Sequence, residues 1–282
     1  MRFLRRALAT WVSLVALSYS AAVASQTCIG EQAYLKRTLA AVKESLETAR
    51  NFDLGNRAVA ITEKGADGIL LKGYLLEGTK GAGFMLIAQG NGMSARGVAA
   101  SLAKLPPLRR SIVILDYRGH GENASDSPSL AGIRADYLTV WTTLIERHPN
   151  ESHVLYGLSQ GGIVATSMID VVASKHGTMI LDAIPSRLPH YRVLWWELFS
   201  CPKELDPIEQ VVVAPTLPRL ALVRGEEDKQ ITWRDSREVF EAAKQRGALV
   251  RNWPGLYHPL SPRDNDGIRM NNIQGIADEL ER

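Results

Sequence analysis

The pentapeptide Gly157-Leu158-Ser159-Gln160-Gly161 constrains the fold of this chain more than any other segment. A short apolar run at residues 154–156 precedes it, and a helix-compatible apolar sequence follows at residues 162–169. A G-x-S-x-G sequence between a strand and a helix is typical of a nucleophile elbow, a turn so sharp that the neighbours of the serine must be small. The pattern predicts that Ser159 projects its hydroxyl from the carboxyl end of a strand, beside the N–H groups of a helix N-terminus.

Short apolar runs alternate with helical patterns along most of the chain. Strands are predicted at residues 58–62, 69–76, 84–88, 112–115, 154–156, 179–181, 220–223 and 249–251. Helices are predicted at residues 31–50, 130–147, 232–246 and 266–281. Two opening strands followed by strand–helix alternation predict an α/β fold, with a mostly parallel central sheet covered by helices on both faces. Such sheets carry their chemistry at the carboxyl ends of the strands.

The serine needs a base, because its hydroxyl is a weak nucleophile unless an imidazole accepts the proton and a carboxylate orients that imidazole. After Ser159, two histidines lie in loop-like segments, His190 and His258. His258 stands between the predicted strand at 249–251 and the last predicted helix, whereas His190 lies in an insert between the last strands. His258 is therefore the predicted base.

Asp228 is the predicted acid. The strand at residues 220–223 runs into a Gly-x-x-Asp sequence that ends at Asp228, with the apolar Ile231 three residues later. Glu226 and Glu227 are alternatives in the same turn. Asp182, directly after the strand at 179–181, is a further alternative one strand earlier.

Two backbone amides are predicted to stabilise the oxyanion that forms during acyl transfer. The Gln160 N–H is one of them, because it follows the nucleophile in the elbow. The second is expected in the loop Gln89-Gly90-Asn91-Gly92-Met93, where two glycines let the backbone turn tightly under a carbonyl oxygen. Asn91 is the predicted donor in this loop, and Met93 is the alternative.

The segment Asp116-Tyr117-Arg118-Gly119-His120-Gly121-Glu122, together with the elbow, the Gly-x-x-Asp sequence and the terminal histidine, resembles the α/β-hydrolase-fold serine hydrolases. The likeness is to the lysophospholipase, monoglyceride lipase and serine aminopeptidase group, and it extends from about Ile69 to the C-terminus. It implies the α/β-hydrolase fold, hydrolysis by Ser159, His258 and Asp228 without a cofactor, and a structural role for His120. The group usually has His-Gly where this chain has Gln89-Gly90.

The connection at residues 185–218 is longer than its neighbours and is predicted to form a cap over the site. Its aromatic residues include Trp195 and Trp196, which suit an acyl or alkyl group or else pack the cap onto the sheet. Cys201 lies in this cap, and the only other cysteine is Cys28. In an oxidising compartment the two could form a disulfide, and paired and unpaired thiols both stay open.

Residues 1–24 have the three-part organisation of a secretory signal peptide. Arg2, Arg5 and Arg6 are followed by an uncharged run at residues 7–22 and by the small residues Ala22 and Ala24 at a cleavage site. An N-terminal membrane anchor is the alternative, although the apolar run is shorter than the ~20 residues of a spanning helix. Residues 25–54 are then an N-terminal helical extension, and residues 55–282 are the α/β-hydrolase domain.

Charge and motifs exclude several other functions. Cleavage would remove three arginines from a chain of net charge +3, so the mature protein is close to neutral and no basic face for nucleic acid is expected. No H-x-x-E-H sequence, clustered His/Cys spacing or dinucleotide fingerprint is present, so neither a metal nor another cofactor is expected. No membrane span is expected after cleavage.

The sequence thus predicts an exported hydrolase that cleaves the carboxylic ester of a small molecule. A serine aminopeptidase-like enzyme acting on short peptides with the same three residues is the alternative. It would need cap carboxylates for the substrate amine, for which Glu197, Glu204 and Asp206 are the candidates. A non-catalytic binding protein on the same scaffold is the third reading.

We expect the mature chain to begin at Ser25, because the small residues Ala22 and Ala24 precede that position. N-terminal sequencing of the protein recovered from the periplasm or the medium measures this directly. A membrane-bound product that keeps Met1 would support the anchor instead.

Overall fold

One mostly parallel sheet runs through the part of the chain that the computed structural model describes, which is Leu54 and residues 56–123, 128–187, 206–260 and 265–282. Its strands are β1 (Ala58–Lys64), β2 (Leu70–Leu76), β3 (Phe84–Ala88), β4 (Ser111–Leu115), β5 (His153–Leu158), β6 (Thr178–Asp182), β7 (Arg219–Gly225) and β8 (Leu249–Trp253). They lie in the order β1-β2-β4-β3-β5-β6-β7-β8. Strand β2 pairs antiparallel with β1 and β4, and all other neighbouring pairs are parallel. The predicted fold class is confirmed.

Helices connect the successive parallel strands, as parallel pairing requires, and the last helix follows β8. They are α1 (Ala95–Ala103), α2 (Leu130–Arg147), α3 (Gly161–Thr166), α4 (Ile169–Ser174), α5 (Pro207–Val213), α6 (Trp233–Gln245) and α7 (Asp266–Leu280), with 3₁₀ turns at Ala66–Gly68 and Gly121–Asn123. Helix α2 has the predicted bounds because the Ser129 side chain accepts a hydrogen bond from Gly132 N at its start. Within the described ranges, no helix is both long and apolar enough to cross a membrane.

Two apolar layers cover the two faces of the sheet. In β3, Phe84 and Leu86 belong to the cluster beneath α2 and α6, whereas Met85 and Ile87 belong to the cluster beneath α1 and α7. Every residue of β3 is buried, which explains its uninterrupted apolar sequence. The core therefore lies on both sides of the sheet and leaves the carboxyl ends of the strands for the site.

Two sequence expectations need correction. The helix after the elbow is not continuous, because α3 ends at Thr166 and a new helix starts at Ile169. Helix α1, which the sequence did not predict, begins where the Ser94 side chain accepts a hydrogen bond from Gly97 N. The predictions for residues 1–24 and 31–50, and those for the residues Cys28, His190, Trp195, Trp196, Glu197, Cys201 and Glu204, lie outside the described residues.

A fully buried arginine fastens the C-terminal helix to the sheet. Arg110 has no exposed side-chain surface, and its guanidinium lies 2.6 Å from a Glu281 oxygen and 2.8 Å from an Asp278 oxygen, both on the end of the chain. Its Nε also donates to Ser152 Oγ at 2.6 Å, at the start of β5. Removing this guanidinium would leave Glu281 without its cation and Asp278 with Arg109 alone.

We expect Arg110→Met to lower the free energy of unfolding by about 3 kcal/mol, since it breaks a buried ion pair without removing its anionic partners. Arg109→Met is the matched control, because Arg109 lies 2.6 Å from the same Asp278 but is 57% exposed. The control should lose less than about 1 kcal/mol, as exposed pairs do. Urea unfolding of the three proteins measures both values, and equal losses would contradict the account.

Candidate active site

Ser159 stands at the elbow between β5 and α3 with a strained backbone. Its φ is 51°, a left-handed conformation that non-glycine residues rarely adopt. A hydrogen bond of 2.7 Å from Ser159 N to the Asp182 carbonyl oxygen holds it there. A Cβ on Gly161 would overlap the Ala88 carbonyl oxygen, and a Cβ on Gly157 would lie 2.6 Å from the Ala165 Cβ. The spacing of glycines around the serine is thus a steric requirement.

Asp228 and His258 lie together at the carboxyl ends of β7 and β8. The His258 Nδ1 lies 2.8 Å from Asp228 Oδ2. The other carboxylate oxygen, Oδ1, accepts hydrogen bonds from Gln230 N at 2.8 Å and Ile231 N at 3.0 Å. Since a carboxylate only accepts, Nδ1 carries a proton, and in the neutral form of the ring Nε2 is then the nitrogen that can accept one.

The loops that carry these two residues are joined through their backbones. Glu227 N donates to the Leu256 carbonyl oxygen at 3.0 Å, and Glu226 N donates to the Trp253 carbonyl oxygen at 3.0 Å. Gly225 allows this approach, because a Cβ there would overlap the Leu256 carbonyl oxygen. The glycine of the Gly-x-x-Asp sequence is therefore needed where the two loops touch.

The carboxylate of Asp228 is kept ionised by its partners. Burial favours the neutral acid and would raise its pKa, but the hydrogen bond and charge of His258, with the N–H groups of Ile231 and Gln230, outweigh burial and lower the pKa of Asp228 below its usual range. The ionised form favours the tautomer described above. It also offsets the positive charge that His258 acquires on accepting a proton.

The alternative acids are placed elsewhere. Glu226 and Glu227 are exposed on the surface of the turn. The carboxylate of Asp182 is fully buried and faces Arg269 Nη1, which lies 2.8 Å from each of its oxygens. Among Asp182, Glu226, Glu227 and Asp228, the residue hydrogen-bonded to His258 is Asp228.

A cavity of about 570 Å³ opens over these side chains and is lined by Ser159, His258, Gln160 and Asn91. The loop of Asn91 lies against Ser159, because a Cβ on Gly90 would be 3.1 Å from the Ser159 Cβ. The Met93 N–H is directed back to the Gly90 carbonyl oxygen at 3.4 Å, and Met93 packs against the core. Of the two sequence candidates in this loop, Asn91 is the one that faces the cavity.

Asp116 supports the same loop from below. Its Oδ1 accepts hydrogen bonds from Ala95 N at 2.7 Å and from Gln89 Nε2 at 3.3 Å, and its Oδ2 accepts from Glu122 N at 3.0 Å. Burial raises the pKa of Asp116, and the three donors oppose that rise. Gln89, which stands where the resembling group has histidine, thus fixes the start of the loop through Asp116.

His120 has no place in the cavity wall. It is buried, its Nδ1 donates to the Arg118 carbonyl oxygen at 3.0 Å, and its ring packs edge-on against Tyr117 with 5.8 Å between centroids. Burial lowers its pKa, so the ring is neutral near pH 7. These contacts fit the structural role that the resemblance implies.

The cavity lining also includes the apolar side chains of Ile163 and Ile231 and the side chain of Arg187. The Arg187 guanidinium lies 2.9 Å from Glu238, 3.5 Å from Glu209 and 3.6 Å from Asp206. Within the described ranges, three or more side chains suited to holding a metal ion do not converge.

We expect Gly161→Ala to lower the free energy of unfolding by about 1–3 kcal/mol, because the added methyl overlaps a carbonyl oxygen in a packed interior. Gly275→Ala is the control, since Gly275 is an exposed position of α7 with no heavy atom within 4 Å of the added Cβ. It should gain up to about 1 kcal/mol from helix propensity. Thermal and urea unfolding of both variants test this, and a Gly161→Ala protein as stable as the control would refute the tight contact.

Residues 80–197 match the family model described as serine aminopeptidase, S33, or Hydrolase_4. The match spans less than half of the chain and includes Ser159, but neither Asp228 nor His258. No curated protein sequence matches the chain significantly.

Solved structures give the fold. Propionate-bound esterase 2 of Thermogutta terrifontis is 20% identical with a TM-score of 0.55, over 79% of this chain and 93% of that chain. Dipeptidyl peptidase 4 of Porphyromonas gingivalis is 14% identical with a TM-score of 0.55, over 79% of this chain and 35% of that chain. A Xanthomonas campestris serine hydrolase described as lacking a lid is 16% identical with a TM-score of 0.50, over 80% of this chain and 94% of that chain. The neighbours thus show the α/β-hydrolase fold, and the match over residues 80–197 supports a serine hydrolase.

Proposed function

We propose that this chain is an exported enzyme that cleaves carboxylic esters through an acyl-enzyme formed on Ser159. The observation that supports it best is the Asp228–His258 hydrogen bond of 2.8 Å. His258 lines the same cavity as Ser159, whose backbone is strained, and Asn91. Export rests on the signal-peptide pattern of residues 1–24.

In the acylation step, His258 Nε2 takes the proton of the Ser159 hydroxyl while the oxygen attacks the ester carbonyl carbon. The carbonyl π electrons move to the oxygen, and the resulting oxyanion accepts hydrogen bonds from the N–H groups of Gln160 and Asn91. The intermediate collapses, His258 gives its proton to the departing alkoxide, and the alcohol leaves. Asp228 keeps its negative charge throughout and stabilises the imidazolium.

Deacylation repeats these transfers with water. His258 takes a proton from the water as it attacks the acyl carbon, and a second oxyanion forms at the same two amides. When that intermediate collapses, the proton returns from His258 to Ser159 Oγ and the carboxylic acid leaves. One cavity therefore serves both half-reactions.

The described cavity wall favours an ester over a substrate with a free amine. Binding of an ammonium group needs a carboxylate that is not already committed. Glu238 is paired with Arg187, and Asp235 accepts hydrogen bonds from Thr232 N at 2.8 Å and Thr232 Oγ1 at 2.6 Å in a capping box. Both carboxylates that line the described wall are thus engaged.

A peptidase with the same three residues is the second candidate, and the family-model description favours it. The Porphyromonas gingivalis neighbour is likewise named a peptidase. Of the carboxylates proposed to bind a substrate amine, Asp206 is buried beside Arg187, and Glu197 and Glu204 lie outside the described residues. The substrate panel below separates the two candidates.

We expect Ser159→Ala to abolish turnover and labelling by a fluorophosphonate probe while the fold survives. His258→Ala should lose nearly as much activity, because the members of a triad act as a unit. Asp228→Asn should lower kcat about 10⁴-fold, since the amide no longer fixes the tautomer of the histidine. Glu227→Gln, an exposed change in the same turn, is the control and should leave kcat unchanged.

Steady-state kinetics with p-nitrophenyl acetate and circular dichroism measure these effects. Persistent labelling of Ser159→Ala would place the nucleophile elsewhere. An Asp228→Asn enzyme as active as Glu227→Gln would remove Asp228 from the mechanism.

We expect p-nitrophenyl esters of increasing acyl length to be hydrolysed and aminoacyl p-nitroanilides to be poor substrates, because the described cavity offers apolar surface and no uncommitted carboxylate. Each nitroanilide is compared with its N-acetylated form through kcat/KM. Strong preference for the free amine over the acetylated form would show an aminopeptidase and overturn the ester assignment.

A further inference from the structure

A buried ion pair behind the site connects the elbow to the histidine loop. Asp182 ends β6 and has no exposed surface, and Arg269 on the first turns of α7 is 2% exposed. One Arg269 nitrogen, Nη1, lies 2.8 Å from both Asp182 oxygens, and Tyr156 Oη donates to Asp182 Oδ2 at 2.7 Å. Burying two opposite charges costs desolvation free energy, and their attraction offsets that cost only in a well-aligned geometry. Displacement of either group is therefore unfavourable.

One hydrogen bond joins each residue of this pair to a segment of the proposed mechanism, the elbow on one side and the histidine loop on the other. The backbone carbonyl oxygen of Asp182 accepts the hydrogen bond from Ser159 N at 2.7 Å. The second guanidinium nitrogen of Arg269, Nη2, donates to the carbonyl oxygen of Tyr257, the residue before His258. The guanidinium also lies over the Trp253 ring at the end of β8, with 5.8 Å to the centroid.

We propose that Asp182 and Arg269 are positioning residues that fix the distance between Ser159 and His258. This inference rests on the proposed function, because it takes those two residues as nucleophile and base. The planar guanidinium suits the task, since its fixed fork grips the carboxylate and the Tyr257 carbonyl oxygen at the same time. The pair is neutral as a whole, so it orients the histidine loop without adding net charge beside Asp228.

The reason to expect a catalytic effect is geometric. Removal of the pair leaves Ser159, His258 and Asp228 in place but frees the histidine loop to shift relative to the elbow. A misplacement of about 1 Å between reacting groups can lower the rate on the order of 10²-fold while substrate binding changes little. A purely structural pair would instead affect stability and leave the rate per folded molecule unchanged.

The test replaces both charges together, as Asp182→Leu with Arg269→Met, because hydrophobic replacement of a buried pair often preserves stability. Arg269→Lys is the second variant, which keeps the charge but not the fork. Arg251→Met with Glu279→Leu is the control, since this exposed pair of 2.9 Å also joins α7 to the sheet, at β8 rather than β6. Active sites are titrated with a fluorophosphonate probe, and kcat and KM for p-nitrophenyl acetate are expressed per titrated site.

We expect kcat per site to fall on the order of 10²-fold in the double variant, less in Arg269→Lys, and not at all in the control, with KM little changed throughout. Wild-type kcat per site in both test variants would overturn the inference, whatever their melting temperatures. Ser159→Ala, assayed in parallel, separates the two failures. If Ser159→Ala is inactive and the test variants turn over normally, the proposed function stands and the positioning role falls.

Discussion

The absence of space around Ser159 is the constraint on which the rest of the site depends. The positive φ of this residue carries a cost of about 1–3 kcal/mol, and it persists because the surrounding structure over-determines it. Strand β6 supplies the hydrogen bond from the Asp182 carbonyl, and β3 lies so close that Gly161 has room for no side chain. Ser159 is therefore held by three adjacent strands, and its position follows from the pairing of the sheet.

The same logic extends outward from the elbow. Parallel pairing brings the ends of β5, β6, β7 and β8 to one edge, so residues far apart in sequence become neighbours. The loops of Asp228 and His258 meet at Gly225 and the Leu256 carbonyl oxygen. The buried Asp182–Arg269 ion pair lies behind them. The elbow is fixed mainly by steric contact, whereas the histidine loop is fixed mainly by hydrogen bonds and charge.

Local pattern was sufficient where local forces decide the structure. The apolar run of β3 and the capped, periodic sequence of α2 have the predicted bounds, because uninterrupted burial and a serine cap leave clear signals. The placement of Asp228 beside His258 agrees with the spacing of the Gly-x-x-Asp sequence. The order of the motifs along the chain was thus enough to select most residues of the candidate site.

Contacts between distant segments could not be read in this way. Nothing near Asp182 indicates that its carboxylate faces Arg269, which lies on the last helix, so the sequence left Asp182 open as an acid. The break between α3 and α4 was equally hidden, since the apolar residues around Ser167 and Met168 suit a continuous helix. The hydrophobic periodicity of a short segment does not indicate which distant residue pairs with a buried charge.

The Arg187–Asp206 contact bears on how the connection between these two residues can vary in length. These two residues flank the segment 188–205, and the ion pair of 3.6 Å holds its two ends together on the rim of the cavity. Loop-closure entropy grows only slowly with loop length, so each doubling of the length of such a connection costs about 0.6 kcal/mol. Insertions, deletions or a grafted segment between these two residues would therefore leave the strand ends where they are. The length of this connection and the geometry of the strand ends can thus change independently of each other.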